Sequence, residues 1–284
     1  ITNWYAFVPL AADTLASLQQ ELREWGQAHA LRGLILLAPE GINGTVCGSA
    51  ENVSQLKEFL VERLGAMTFK VSEASKAVFR RWSVKLKPEI VGLKRPDIRP
   101  AGVHRHVSPA EWNKMLEEED IVVLDTRNDY EVALGKFRGA IDPHIEQFSD
   151  LPAKVRALDI PKEKKVMLYC TGGIRCEKAV FAMEEAGYHD VYQLDGGILN
   201  YLKEFPDAAF KGECFVFDGR TSVDQHLKPS QQYGICPHCG QPGDRIVMCF
   251  CGKECYICAA CEKIPSKQSC SKRCAHERAM AVPA

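Results

Sequence analysis

The first ninety residues alternate between apolar runs of strand type and apolar spacings of three and four. Trp4 to Val8 is a short apolar and aromatic run closed by Pro9, which predicts a strand. Leu15, Leu18, Leu22 and Trp25 then share one face of a helix, with Asp13 as its cap and Gly26 weakening its end. Leu31 to Ala38 reads as a buried strand. The segment Pro39-Glu-Gly-Ile-Asn-Gly-Thr45 carries turn residues, so a hairpin returning at Thr45 to Cys47 is the simple expectation. Ser49 caps a second helix with Val53, Leu56, Phe59, Leu60 and Leu64 on its apolar face, and Met67 to Val71 supplies another strand. The order βαββαβ predicts a ferredoxin-like, acylphosphatase-like α+β plait over residues 1–92.

The middle third is patterned differently. Ser108-Pro109-Ala110-Glu111 is a helix start with cap, first-turn proline and capping-box glutamate. Ile121 to Leu124, Val166 to Tyr169 and Val191 to Leu194 are short apolar strands separated by helical stretches such as Cys176 to Ala186. Alternation of this kind predicts an α/β domain over residues 105–210, a mostly parallel sheet with helices on both faces. Pro88, Pro96 and Pro100 with Gly92 and Gly102 mark a linker, placed at 93–104. Open sheets of this class bind ligands at the carboxyl ends of their strands.

At 284 residues with 46% apolar content, the chain is long enough for two or three domains. Its 36 basic and 37 acidic residues give no global bias toward nucleic acid, membrane or acidic substrates. No apolar run approaches the ~20 residues of a membrane helix, and the amino terminus lacks a signal-peptide pattern, so a soluble protein is expected. Charge is uneven locally. Lys70 to Arg105 holds ten basic residues against Glu73, Glu89 and Asp97. Phe79, Trp82 and the alternating Val84 and Leu86 suggest a strand with cations facing solvent. Arg80, Arg81, Lys85 and Lys87 are therefore candidates for contact with a phosphate backbone, against the plainer reading of a lysine-protected sheet edge.

Of thirteen cysteines, nine crowd between Cys236 and Cys274, which favours metal ligation in a reducing cytosol over disulfides. Paired knuckles such as Cys236-Pro-His-Cys239 and Cys258-Ala-Ala-Cys261 suit tetrahedral Zn²⁺. The preferred eight ligands for two structural zincs are Cys236, Cys239, Cys249, Cys255, Cys258, Cys261, Cys270 and Cys274, with Cys251, His238 and His276 as spares. A redox or iron–sulfur tail is the rival reading. Residues 211–284 are too poor in large apolar side chains for a core of their own, and bound metal would make up the deficit.

Cys170 ends a predicted buried strand and is followed by Thr171, Gly172, Gly173, Ile174 and Arg175, with a helix starting at once. Glycines let successive N–H groups curl inward as an anion nest, and the helix start and Arg175 add positive charge. These features favour thiolate, lowering a thiol from about 8.5 into the range of about 3.5–7.5. Cys176 has two readings, a resolving thiol for an oxidised Cys170 or a core-facing helix residue. Asp125 and Arg127 read as a structural ion pair. No flavin or nicotinamide fingerprint is present.

This loop, with Asp125-x-Arg127, Glu131, Gly139-Ala140 and Asp195-Gly-Gly197, resembles the rhodanese domain over roughly residues 103 to 206. Its Cys-x4-Arg spacing is one residue shorter than the phosphate ring of protein phosphatases and suits a sulfur or oxygen carried on the cysteine. End to end, the chain resembles the bacterial rhodanese-like, oxygen-dependent tRNA uridine hydroxylases. The matching segments include Glu40-Gly-Ile-Asn-Gly-Thr45, Lys87-Pro-Glu-Ile-Val91, Asn128-Asp-Tyr-Glu131, Tyr169 to Ala179, Phe215-Val-Phe-Asp218 and Cys236-x2-Cys239-Gly. The resemblance implies a cytoplasmic oxidoreductase that forms 5-hydroxyuridine at the wobble position, with O2 as co-substrate and a tRNA anticodon loop as partner. DNA and membranes are not expected partners. A sulfurtransferase carrying a persulfide on Cys170 is the alternative, and a non-catalytic RNA-binding adaptor is the third reading.

Overall fold

The computed structural model describes residues 1–74, 76–100 and 104–281. The N-terminal plait runs β1 (Thr2–Phe7), α1 (Ala12–Ala28), β2 (Arg32–Ala38), β3 (Gly41–Cys47), α2 (Ala50–Leu64) and β4 (Lys70–Val71), and gains an extra strand, β5 (Trp82–Leu86). Strand order is β4-β1-β3-β2-β5, with β5 parallel to β2 at the edge. Trp4, Ile35, Leu37, Ile42 and Val46 pack under the Leu18, Leu22, Leu56 and Leu60 stripes of the two helices. Period-two alternation then leaves Asn3, Tyr5, Leu34, Leu36, Asn43 and Thr45 on the opposite, helix-free face.

Three local expectations for this domain need correction. The glycine-rich Gly41–Thr45 segment is not a turn but most of β3, the central strand, paired to both β1 and β2. Its glycines are there for close approach: a Cβ on Gly44 would lie 2.6 Å from the Trp4 ring, and one on Gly41 2.0 Å from the Ala6 carbonyl oxygen. Asp13 sits in the first turn of α1 and not at its N-cap, which is Ala11; its carboxylate accepts from the Thr14 N–H at 2.8 Å. In β5 the alternation fails at its end, because Val84 is buried whereas Leu86 is 46% exposed.

The second domain comprises β6 (Arg105–Val107), α3 (Pro109–Met115), β7 (Ile121–Asp125), α4 (Asp129–Val132), β8 (Gly135–Phe137), α5 (Leu151–Ala157), β9 (Lys165–Tyr169), α6 (Ile174–Glu185), β10 (Val191–Leu194) and α7 (Gly197–Glu204). Its four-stranded sheet, β6-β10-β9-β7, is parallel throughout. Strand residues alternate between two cores: Leu124, Val166 and Leu168 pack with α5 and α6, while Val123, Met167 and Tyr169 pack with α3 and α7. The capping box at Ser108 and Glu111 forms as expected. Residues 93–100 do not run free as a linker, since Leu93 and Ile98 are buried in the α5–α6 core. Residues 101–103 of that expected linker lie outside the described residues.

The rest of the chain is held by short two-stranded ribbons: β11 (Phe210–Gly212) on β8, β12 (Cys214–Phe215) with β13 (Ser222–Val223), β14 (Gly234–Ile235) with β15 (Pro242–Gly243), and β16 (Arg245–Met248) with β17 (Glu254–Ile257). Two helices close it, α8 (Ala259–Glu262) and α9 (Lys272–Ala281). Among the described residues no helix is long and apolar enough to cross a membrane.

Candidate active site and metal-binding cysteines

Cys170 follows the carboxyl end of the central strand β9, and the loop after it is shaped by what its carbonyls are given to do. The N–H groups of Ile198 and Leu199 in α7 bond the Cys170 and Thr171 carbonyls at 3.0 and 3.1 Å, and the Lys70 ammonium, from β4 of the plait, bonds the Gly172 carbonyl. With three successive carbonyls turned outward, the amides turn inward. The Gly173 N–H reaches the sulfur at 3.0 Å, a turn made possible by its φ of +101°. Gly197 is equally required, since a Cβ there would meet the Cys170 carbonyl oxygen at 2.5 Å.

Burial alone would raise the Cys170 thiol. The hydrogen bond from Cys176, the Arg175 charge and the backbone amides of Arg175 and Gly172 outweigh it and bring the thiol from 9.0 down to about 5. Cys176 is fully buried in the α5–α6 core beside the Thr126 hydroxyl, 3.7 Å away. Burial and the neighbouring sulfur push its own thiol well up, so it keeps its proton and donates it. Arg175 does not point its fork at the sulfur. Both terminal nitrogens are taken by Glu131, Nη1 to Oε2 at 2.6 Å and Nη2 to Oε1 at 2.7 Å, so it acts on Cys170 through charge. Asp125 and Arg127 form a buried bidentate pair well suited to a structural role.

Three residues at the loop, Tyr5, Lys70 and His106, were not legible in the sequence. Tyr5 Oη donates to Glu177 Oε1 at 2.9 Å, and Lys70 lies over the Tyr5 ring. His106 stands 3.5 Å from Glu177 and 3.7 Å from Asp195, and these carboxylates, Asp195 first, raise it to about 9. The plait therefore docks directly on the reactive loop. A buried ion triplet fastens the two domains: Lys178 on α6 meets Glu40 at 2.7 Å and Glu89 at 2.6 Å, which is where the Glu40 of the glycine-rich segment finds its use.

Although Cys170 is 1% exposed, it opens on a cavity of about 320 Å³. The helix-free face of the plait forms one wall through Asn3, Tyr5, Leu36 and Asn43, and Phe217 and Arg220 form another. Arg80 borders an adjoining groove, whereas Arg81, Lys85 and Lys87 line neither the cavity nor that groove. Lys85 pairs with Leu36 in register and so lies on the helix-free side, but on the edge strand.

If the amide ring is intact in solution, iodoacetamide should capture Cys170 at a rate half-maximal near pH 5, followed by mass spectrometry of its peptide. The rate should be flat above pH ~7, where a free thiol is still rising toward its pKa of about 8.5. The folded protein also binds fewer protons than the unfolded chain between these limits, so this thiol's contribution to stability grows from about pH 5 to 9. A midpoint above pH 8 would show that the ring does not ionise the sulfur.

In the tail, Cys236, Cys239, Cys258 and Cys261 form one group with all sulfurs within 4.8 Å of one another, and Cys249, Cys251, Cys270 and Cys274 form another. Neighbouring sulfurs at 3.5–3.6 Å approach the ~3.8 Å edge of a tetrahedron with metal–sulfur bonds of about 2.3 Å. The sequence-based set is thus corrected at one place: Cys251 belongs to the second group, and Cys255 to neither. Cys255 sits within β17, where the strand's alternation turns it beside Ile257 onto the small tail core, its thiol toward the Val247 carbonyl.

Family models match the whole of this layout: a UPF0176 acylphosphatase-like domain at residues 1–90, a rhodanese-like domain at 108–204 and a rhodanese C-terminal domain at 211–275. A solved rhodanese-like domain from an Anabaena species aligns at 21% identity with a TM-score of 0.33, covering 39% of this chain and 80% of its own. The tRNA uridine(34) hydroxylase of Bdellovibrio bacteriovorus is 45% identical over 98% of this chain and 81% of its own length. That of a Synechocystis species is 41% identical over 91% and 95%. With its three parts matched in order by the family models and 98% of its length aligned to a 45% identical relative, the chain belongs to the tRNA uridine(34) hydroxylase family.

Proposed function

We infer that this chain hydroxylates C5 of the wobble uridine of tRNA in the cytoplasm, using O2 and the Cys170 thiolate. One observation carries the reading beyond family membership: the Cys170 sulfur, bonded by the Gly173 amide and beside the Arg175 charge that favours its thiolate, lines a cavity whose size lies in the range of small-ligand pockets. A base can reach such a sulfur only when unstacked, which an anticodon loop permits and a duplex resists.

Thiolate addition at C6 of uracil makes C5 nucleophilic, with the electron pair shared with the C4 carbonyl. C5 takes up O2 and a proton as a hydroperoxide. Two electrons and two protons from a thiol reductant split it, leaving the hydroxyl on C5 and releasing water. Loss of the C5 proton and departure of the Cys170 sulfur restore the double bond. Cys176 holds the sulfur in place as a hydrogen-bond donor, and Arg175, held by Glu131, acts on the neighbouring sulfur through its charge. The cysteine groups are assigned to two structural Zn²⁺ ions: their all-thiolate donor sets leave no open ligand position. Each zinc would contribute on the order of 10–16 kcal/mol to folding of a region with little core of its own.

Purified protein, tRNA, a thiol reductant and ¹⁸O2 provide the test. Digestion and mass spectrometry should find one heavy oxygen in 5-hydroxyuridine from position 34. Unmodified uridine together with strong thiosulfate:cyanide sulfur transfer would favour the persulfide alternative, and 5-hydroxyuridine carrying only ordinary oxygen would exclude O2 as the donor.

A further inference from the structure

The cavity at Cys170 does not end at its mouth. Phe79, Phe217 and Arg220 are shared with a groove of about 1620 Å³ that runs between residues 76–80, the 215–221 segment and the cysteine-rich tail. Apart from the cysteine sulfurs of the metal groups that reach it, Cys236, Cys239 and Cys270, its charged side chains are mostly basic. Lys76, Arg80, Lys228 and Lys272 border it, and none has an ion-pair partner among the described residues. The carboxylate along it, Asp218, is closed in a bidentate pair with Arg220. Aromatic side chains line the same groove: Phe217 is 58% exposed, and Tyr233 and Tyr256 are half-buried.

We propose that this groove is an RNA track, and that the cysteine-rich tail, through Lys228 and Lys272, holds the substrate strand beside the nucleotide delivered to Cys170. The proposal rests on the reading of the chain as a tRNA-modifying enzyme and assigns a part of that enzyme to a new task. Unpaired cations spaced along a groove neutralise backbone phosphates, and aromatic rings beside them stack on bases of any identity, the usual combination for single-stranded nucleic acid. Continuity decides the occupant: a strand whose target base enters the cavity has flanking nucleotides at its mouth, and the groove opens there. In this arrangement the metal groups have a mechanical role, fixing the wall that carries Lys272 next to Cys270 and Cys274.

The test compares wild type with Lys228→Glu/Lys272→Glu and the milder Lys228→Gln/Lys272→Gln, using full-length tRNA transcript in the intact protein. Zinc content and circular dichroism report whether each variant is folded. The doubly reversed variant should bind tRNA at least tenfold more weakly, and the glutamine variant should lose about 1.4 from the slope of log affinity against log salt, at roughly 0.7 per single-strand phosphate. The defect should fall in KM for 5-hydroxyuridine formation, with the pH profile of Cys170 alkylation unmoved. Unchanged affinity and unchanged salt slope in both folded variants would overturn the groove as an RNA track. Because such variants would still hydroxylate tRNA, that outcome is distinct from failure of the functional reading, in which wild type itself forms no 5-hydroxyuridine.

Discussion

Cys170→Ser should leave uridine 34 unmodified, lowering turnover by about 10³-fold or more while tRNA affinity stays within about twofold. The substitution is nearly isosteric, so the loop amides and the α7 contacts persist. What is lost is ionisation: the same ring that brings a thiol to about 5 cannot bring a hydroxyl near neutrality, and a neutral hydroxyl does not add to a pyrimidine. Mass spectrometry of wobble nucleosides from a deletion strain complemented with each variant is the readout. Residual 5-hydroxyuridine above a few per cent would mean that the oxygen does not depend on this sulfur. Cys176→Ser is the informative companion. Serine retains a donor at the buried position beside Thr126, so activity within about tenfold of wild type is expected from a positioning role. Arrest after a single turnover would identify Cys176 as the resolving thiol instead.

Most elements of the plait, and the three central strands with α3 and α6 of the second domain, were legible because their apolar periodicity is regular and caps such as Ser49 and Ser108 are explicit, whereas the three-residue strands β6 and β8 and the short helices α4, α5 and α7 were not. The reactive loop was equally legible, since a cysteine, two glycines and an arginine in sequence leave little besides an anion nest. Glycine misled where its use was steric: Gly41 and Gly44 signal a turn, yet they occupy a central strand because Ala6 and Trp4 approach from the neighbouring strand. Composition also overstated the linker, where Leu93 and Ile98 bury themselves among the helices of the second domain. The choice between Cys251 and Cys255 required strand alternation in a ribbon too short to show periodicity. Least legible were Tyr5, Lys70 and His106, whose significance comes from docking between domains, a relation that no local pattern encodes.

Glu131→Gln should destabilise the folded chain by about 3–5 kcal/mol and at the same time make Cys170 more acidic. Glu131 is fully buried and Arg175 7% exposed, so their paired charges are removed from water together. Glutamine keeps one acceptor and the packing volume but removes the guanidinium's paired carboxylate, leaving it the Cys170 sulfur, the Thr171 hydroxyl at 3.4 Å and the Phe217 ring at 5.7 Å. At roughly 2–4 °C per kcal/mol, a fall in Tm of about 10 °C is expected by differential scanning fluorimetry. The effect on the sulfur has the opposite sense to the usual one for damage at an active site. An anion near Cys170 is gone while the Arg175 cation stays, so the alkylation midpoint should move below its value near pH 5. Arg175→Gln removes the cation and leaves Glu131 buried, and its midpoint should rise. Midpoints that shift in the same direction in both variants would show that loop distortion, and not the balance of the two charges, sets the ionisation of Cys170.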